Sequence, residues 1–194
     1  LKDSSNEVSK RAAKTGDKDL AKKARKLQEM MTWKRWKEPE NPAAELRYAE
    51  VKDYCEWLSK KRGYTFRLPS VEEWEHAARG GLKDKLYPWG DDFDGSKCWY
   101  RINSKDKIQK IGQLPATGYG LYDMIGNLWE YTSDVKYNQE DIEKKSKYRR
   151  QEDYVKGGSY HSYVDELHIK YEKLLRIRSY YKNVGFRVLM EMPQ

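Results

Sequence analysis

The run Gly118-Tyr-Gly-Leu-Tyr-Asp-Met-Ile-Gly-Asn-Leu-Trp-Glu-Tyr-Thr-Ser-Asp134 decides how the rest of the chain is read. Its glycines at 118, 120 and 126 permit backbone angles and close approaches that a side chain forbids. Between them stand Tyr119, Leu121, Tyr122, Met124, Ile125, Leu128, Trp129 and Tyr131. This apolar load fits neither a helical period nor an alternation, so it predicts compact, turn-rich structure rather than one regular element. Threaded through it are Asp123, Asn127 and Glu130, whose oxygens are of the kind hard cations take.

Outward from that run, punctuation is clear. Pro39-Glu-Asn-Pro42 breaks the chain, and Ala44–Lys61 predicts a helix with Leu46, Ala49, Tyr54, Trp57 and Leu58 on its apolar side, stopped by Gly63. Thr65–Leu68 predicts a short strand. Ser70 with Glu73 forms a capping box opening a helix through Arg79 that ends at Gly80-Gly81, with Trp74, Ala77 and Ala78 inward. His76 on that helix reads as a surface or packing histidine. Asp91, Asp92 and Asp94 precede a glycine, but the bidentate Glu of a calcium loop is missing, so they predict a solvated turn. Val135–Lys156 is polar and mixed in sign and predicts an exposed insertion with a short helix from Glu140 to Tyr148. Tyr154 onward opens the last sheet segment, and Val184–Met190 predicts an apolar strand.

With 36% charged and 13% aromatic residues among 194, the chain predicts a soluble, folded protein rather than a disordered one. No apolar run reaches the length of a membrane span and no signal peptide is visible. The first residue is Leu, so an upstream segment could have been removed, and localisation stays open between cytoplasm and a displayed surface. The net charge of +8 is uneven. Residues 1–37 hold twelve Lys and Arg against five Asp and Glu, and the remainder 27 against 26. Residues 1–37 therefore predict a basic helical arm, with Asp17 as N-cap and Leu20, Ala24, Leu27 and Met31 on one face, and residues 38–194 the main domain. The arm reads either as a packed amphipathic helix or as a docking arm for nucleic acid, a membrane or a partner. The basic character belongs to the arm and says little about what the main domain binds, for which nucleic acid is not the expected ligand. Cys55 and Cys98 show no metal or redox spacing and read as two buried free thiols or one disulfide.

The segments Arg67-Leu-Pro-Ser-Val-Glu-Glu-Trp-Glu-His-Ala-Ala-Arg-Gly-Gly81, Tyr87-Pro-Trp-Gly90, Gly118–Asp134, Gly157-Gly-Ser-Tyr160 and Val184-Gly-Phe-Arg187 occur in an order that resembles the formylglycine-generating enzyme (sulfatase-modifying factor) family. The resemblance runs from about Pro39 to Val188, roughly three quarters of the chain. It implies an α+β domain with a C-type-lectin-like fold of the formylglycine-generating-enzyme type. In the family residues 1–37 would hold an opening strand and hairpin, which this sequence does not show.

The family's oxidase reaction needs a cysteine pair between Gly-Gly-Ser and Gly-Phe-Arg that binds copper, a soft metal suited by thiolates. Between Gly157 and Arg187 there is no cysteine, and Cys55 and Cys98 match neither position. No copper is expected, and no catalysis. A branch resembling iron-dependent sulfoxide synthases would need a histidine cluster, and His76, His161 and His168 do not form one in sequence. The family also implies a calcium site, matched here by the side chains of Asp123 and Glu130 and the carbonyls of Gly126 and Leu128. The alternative is that Asp123 caps a turn and Glu130 pairs with an arginine such as Arg187.

The segment that lacks the cysteines carries Tyr160, His161, Tyr163, His168, Tyr171, Tyr180, Tyr181 and Asn183. Tyrosine supplies rigid contact area at low entropic cost, and Ser, His and Asn supply adaptable hydrogen bonds, the composition of a paratope. This bias resembles the variable proteins of diversity-generating retroelements, which implies a non-catalytic display protein, of phage or viral receptor-binding type, for a protein or cell-surface ligand. Lys170, Glu172 and Lys173 would then have to be fixed positions. The competing reading makes Leu167, Ile169, Leu174, Leu175 and Ile177 core and the tyrosines a rim. Oligomeric state and ligand identity are not legible in the sequence.

Overall fold

The computed structural model divides into two compact units, Leu1–Pro39 and Glu40–Gln194. It describes residues 40–144, 151–176 and 179–192, so the expected basic arm lies outside the described residues.

Helix α1 spans Tyr48–Arg62 and is stopped by Gly63 at φ 76°, whose N–H donates to the Ser59 carbonyl at 2.9 Å. It begins four residues later than expected because Glu45 takes φ 59°, a left-handed angle that breaks the helical path. Its buried stripe is Tyr48, Val51 and Cys55, and Ala49 is exposed rather than inward. Strand β1 is Phe66–Arg67. Helix α2, Val71–Arg79, carries the expected capping box: Ser70 Oγ accepts the Glu73 N–H at 3.1 Å, and Glu73 Oε2 accepts the Ser70 N–H at 2.8 Å. It ends at Gly80, which lies so close to Gly118 that a Cβ on Gly118 would sit 2.1 Å from the Gly80 carbonyl oxygen.

Of the region expected as an exposed insertion, residues 135–144 are half-buried or exposed, but its two ends belong to the central strands of the sheet. Strand β2, Trp129–Tyr137, continues out of the turn-rich run. A short helix α3, Gln139–Glu143, follows, and the rest of the helix expected to reach Tyr148 lies outside the described residues. Strand β3, Gln151–Lys156, returns antiparallel to β2, with an irregularity in register between Tyr131 and Val135. Strand β4, Glu172–Arg176, pairs antiparallel with β3, and β5, Val184–Gly185, pairs parallel with β2. The four-stranded order is β4-β3-β2-β5. The expected single strand over 184–190 splits: β5 joins this sheet, while β6, Leu189–Met190, crosses to pair with β1. The turn between them points Arg187 at Glu130.

Polar composition concealed the hairpin because its inward positions include Thr132, Asp153 and Lys156, each at most 1% exposed. Lys156 is tolerated there because its Nζ donates to Glu75 Oε1 at 3.0 Å. The other Glu75 oxygen takes Arg79 at 3.1 Å and Lys170 at 3.1 Å. The main core lies between α2 and the loops: Trp74, Ala78, Cys98, Met124, Ile125, Leu167 and Ile169, flanked by Trp89, Phe93, Tyr100 and Leu121. Among the described residues no helix is long and apolar enough to cross a membrane.

Candidate functional site

Asn127 is the joint on which the loops meet. At φ 60° it donates its N–H to Trp99 O at 2.8 Å and accepts the Tyr160 N–H on its own carbonyl at 2.8 Å. Its side chain exchanges two hydrogen bonds with the Gln109 backbone, at 3.0 and 3.1 Å. Gly126 beside it takes φ 83° against Trp99, where a Cβ would come 2.3 Å from the carbonyl oxygen.

The carboxylates expected to hold calcium are engaged elsewhere. Glu130 accepts from Arg187 Nε at 2.5 Å and Nη2 at 2.6 Å, and from Trp74 Nε1 at 2.6 Å. Its charge is therefore met by a fixed guanidinium, with both oxygens in use. Asp123 Oδ2 accepts the Gly112 N–H at 2.7 Å, and burial raises its pKa above the usual carboxylate value. With Glu130 bound to Arg187 and Trp74 and Asp123 to a backbone N–H, these two carboxylates do not fit a divalent cation as arranged. Among the described residues no three His, Cys, Asp or Glu side chains gather as metal ligands. The Asp91–Asp94 segment holds its charges in surface pairs, Lys85 with Asp91 at 2.6 Å and Lys97 with Asp94 at 3.4 Å.

The Tyr-rich segment divides into three groups. In the first, Tyr160 is half-buried and its carbonyl accepts Ser104 Oγ at 2.8 Å, while burial raises the pKa of its phenol. His161 Nδ1 meets Asp106 Oδ1 at 2.6 Å, and Arg101 Nη1 lies 3.5 Å from His161 Nε2. Tyr163 is 58% exposed, and the Arg101 guanidinium stands 4.7 Å from the centre of its ring. In the second, Tyr171 is half-buried between His168 at 5.7 Å and Trp129 at 5.9 Å, ring centre to ring centre. The His168 Nδ1 atom is buried with no hydrogen-bond partner, and burial lowers the pKa of the ring. In the third, Tyr180 is 44% exposed beneath the Arg47 guanidinium at 4.2 Å, and Tyr181 is half-buried with its hydroxyl accepting the Arg176 N–H at 3.2 Å. Asn183 works as a brace: Nδ2 donates to Ser159 Oγ at 3.1 Å, and its carbonyl accepts the Trp129 N–H at 2.9 Å.

Leu167 and Ile169 are fully buried and Leu175 nearly so, whereas Leu174 is half-buried and Ile177 lies outside the described residues. The segment thus mixes core anchors with tyrosines of which Tyr163 and Tyr180 are exposed and Tyr160, Tyr171 and Tyr181 half-buried. Lys170 and Lys173 are committed to ion pairs, the first with Glu75 and the second with Glu166 at 2.8 Å.

Sequence reasoning missed the loop opposite. Arg101 N donates to Ser162 O at 3.3 Å, and Ser104 and Asp106 reach Tyr160 and His161 from the same loop. Ile102, at 77% exposure, is the most exposed large apolar side chain among the described residues. Only the fold shows that 101–106 and 160–163 form one surface, since some 60 residues separate them. The thiols lie elsewhere in the interior, both free. Burial pushes Cys55 up to about 11 and Cys98 up to about 12.

Residues 6–192 match the model of the sulfatase-modifying factor enzyme 1-like domain. The chain belongs to that family. The inactive C-alpha-formylglycine-generating enzyme 2 of Bos taurus is 34% identical over 120 residues, covering 50% of this chain and 38% of that one. The formylglycine-generating enzyme of Bos taurus is 32% identical over 139 residues, covering 63% and 36%. This member of the sulfatase-modifying factor family therefore spans a little over a third of the length of those relatives. Treponema denticola variable protein 1 shares the fold with a TM-score of 0.64 at 19% identity, covering 77% of this chain and 70% of that structure. The fold is C-type-lectin-like, of the formylglycine-generating-enzyme type.

Proposed function

We propose that this domain binds a protein or cell-surface ligand without transforming it, through the surface built by Tyr160–Val164 and the 101–106 loop. The observation that carries this reading is the exposed group Ile102, Tyr163 and Val164, at 77, 58 and 42%. Such side chains are held in water by a scaffold whose own anchors, Ser104, Ser162 and Leu167, are at most 2% exposed. Large apolar and aromatic groups fixed outward on a rigid base are the usual anchors of an interface. The absence of cysteine between Gly157 and Arg187, with both thiols buried and protonated, supports a domain that has set oxidation aside. A relative named as inactive and a structural relative named as a variable protein accord with this. The retroelement reading adds that the outward positions vary while Lys170, Lys173, Leu167 and Ile169 stay fixed, as their contacts require.

The competing reading, an oxidase, is favoured by the 32% identity to a formylglycine-generating enzyme. Incubation of the full chain with copper and a cysteine-bearing peptide decides between them. No aldehyde product is expected, and turnover would overturn the binding reading. Selection of a random-peptide display library on the wild-type chain is expected to enrich binders that Tyr163→Ala and Ile102→Ser lose while keeping the wild-type melting temperature.

A further inference from the structure

Arg101 is an exposed cation arranged for use. Its backbone is tied to Ser162 and its guanidinium carbon lies 4.7 Å from the centre of the Tyr163 ring, so the cation is placed before any ligand arrives. The side chain's one polar contact among the described residues is with His161 Nε2 at 3.5 Å, and no carboxylate of the described residues pairs with it. A guanidinium only donates, so the tautomer that matches both contacts accepts on Nε2 and donates Nδ1–H to Asp106 Oδ1 at 2.6 Å. That contact engages the Asp106 carboxylate with the histidine rather than with the guanidinium.

Two further cations lie on the same loop. Lys105 and Lys107 are exposed and form no ion pair with a described residue. The acids of this face are Asp106, held by His161, and Asp165, exposed beyond Val164. Lys105 and Asp106 take φ 57° and 55°, a left-handed pair that side chains rarely adopt. Buried Ser104 fixes that turn, donating Oγ to Tyr160 O at 2.8 Å and accepting the Asp106 N–H at 3.2 Å. The loop is thus braced with its cations outward, alongside Ile102 and Val164.

Resting on the binding reading above, we infer that this surface takes an acidic segment of a partner protein, its carboxylate received by Arg101 and an adjoining apolar side chain by Ile102 and Val164. A stacked guanidinium offers two parallel N–H donors that match a carboxylate, and the neighbouring lysines raise the local attraction for acids. The exposed apolar pair beside the cation favours a protein segment over nucleic acid.

The test is selection of a random-peptide display library on the full chain, followed by affinities of synthetic copies of the enriched peptides. Enrichment of sequences joining Asp or Glu to Leu, Ile or Phe is expected, with binding that falls as salt rises. Arg101→Glu should weaken them by at least about tenfold and Arg101→Lys by a smaller factor, because charge is kept and the planar fork lost. Both variants should melt with the wild type, since the side chain is exposed. Enrichment of neutral or basic peptides that still depend on Tyr163 would overturn this inference and leave the binding reading standing. Acidic peptides indifferent to Arg101 would overturn it as well. No enrichment over Tyr163→Ala would remove both. Displacement of the acidic peptides by an oligonucleotide or by anionic vesicles, with tighter binding of that competitor, would also overturn the choice of a protein partner.

Discussion

Ser104 Oγ donates to the Tyr160 carbonyl at 2.8 Å across 56 residues of sequence, and Ser104 itself is fully buried. This bond joins a loop rich in lysine to the segment rich in tyrosine and makes one surface of two. Replacing Ser104 by Ala removes a buried acceptor's partner as well as the bond that holds the Lys105-Asp106 turn. Ser104→Ala is therefore expected to lower stability by about 1–3 kcal/mol in urea unfolding. Ser104→Thr, which keeps the hydroxyl, should lose less if the added methyl is accommodated; equal stability of Ser104→Ala and wild type would show the bond to be idle.

The Glu130–Arg187 pair makes a separate prediction. The side chains are 11% and 25% exposed, and Trp74 closes the third bond. Arg187→Met leaves the Glu130 carboxylate buried without its counter-charge and should lower stability by about 3–5 kcal/mol. Because the guanidinium occupies the carboxylate, a calcium chelator is expected to leave the melting temperature of the wild type unchanged. A fall of several degrees on chelation would restore the calcium expectation.

Local signals were the legible part of this fold. The capping box of Ser70 and Glu73 and the glycine stops at 63 and 80 depend on neighbours in sequence, so they can be read without the fold. The glycines of the turn-rich run were legible as turn signals, but the close backbone approaches that two of them serve, Gly118 to Gly80 and Gly126 to Trp99, join distant parts of the chain and were not. The β2–β3 hairpin was not. Lys156 is inward only because Glu75, 81 residues earlier, waits for it, and no pattern within 135–156 records that partner. The candidate surface was half legible. Tyr163 announced itself by composition, but Arg101, Ile102 and Asp106 became part of it only through contacts spanning the chain.

Glu75 extends that point to stability. One carboxylate serves Lys156, Arg79 and Lys170, and Lys156 is wholly excluded from water. Glu75→Gln should cost about 3–5 kcal/mol because the buried ammonium then lacks an anion. Lys156→Met in the same chain should recover much of the loss, since the uncompensated charge goes with it. The pair is measured as a double-mutant cycle; no recovery would show that packing rather than charge sets the penalty.

Asp153 gives stability a pH dependence of unusual sign. It is 1% exposed, its Oδ2 has no hydrogen-bond partner, and Gln151 alone donates to Oδ1, at 3.1 Å. Burial pushes it up to about 6, above the unfolded value of about 3.9. The folded state therefore holds the proton more tightly, so this group's contribution is fully present below about pH 4 and is lost as pH rises through 6. The loss at neutral pH is on the order of 3 kcal/mol. Glu73, held near 2 by Arg67, acts oppositely, and its stabilisation fades only as pH falls from about 4 toward 2. Asp153→Asn is expected to raise the melting temperature at pH 8 and to change little at pH 4.

The thiols and the tyrosines can be set against each other in a last prediction. Cys55 and Cys98 are 5% and 1% exposed, with burial holding both far above the range in which thiolate forms at neutral pH. A thiol reagent at pH 8 should therefore react slowly with the folded chain and quickly once urea unfolds it, as inert structural cysteines do. Tyr163→Ala should leave that protection and the urea midpoint within about 0.5 kcal/mol of wild type, because an exposed ring supports no core. Leu167→Ala, four residues on and fully buried, should cost about 2–5 kcal/mol and hasten labelling of Cys98, which shares its core cluster. If Tyr163→Ala destabilised as much as Leu167→Ala, the tyrosine would belong to the interior and the binding surface would lose its anchor.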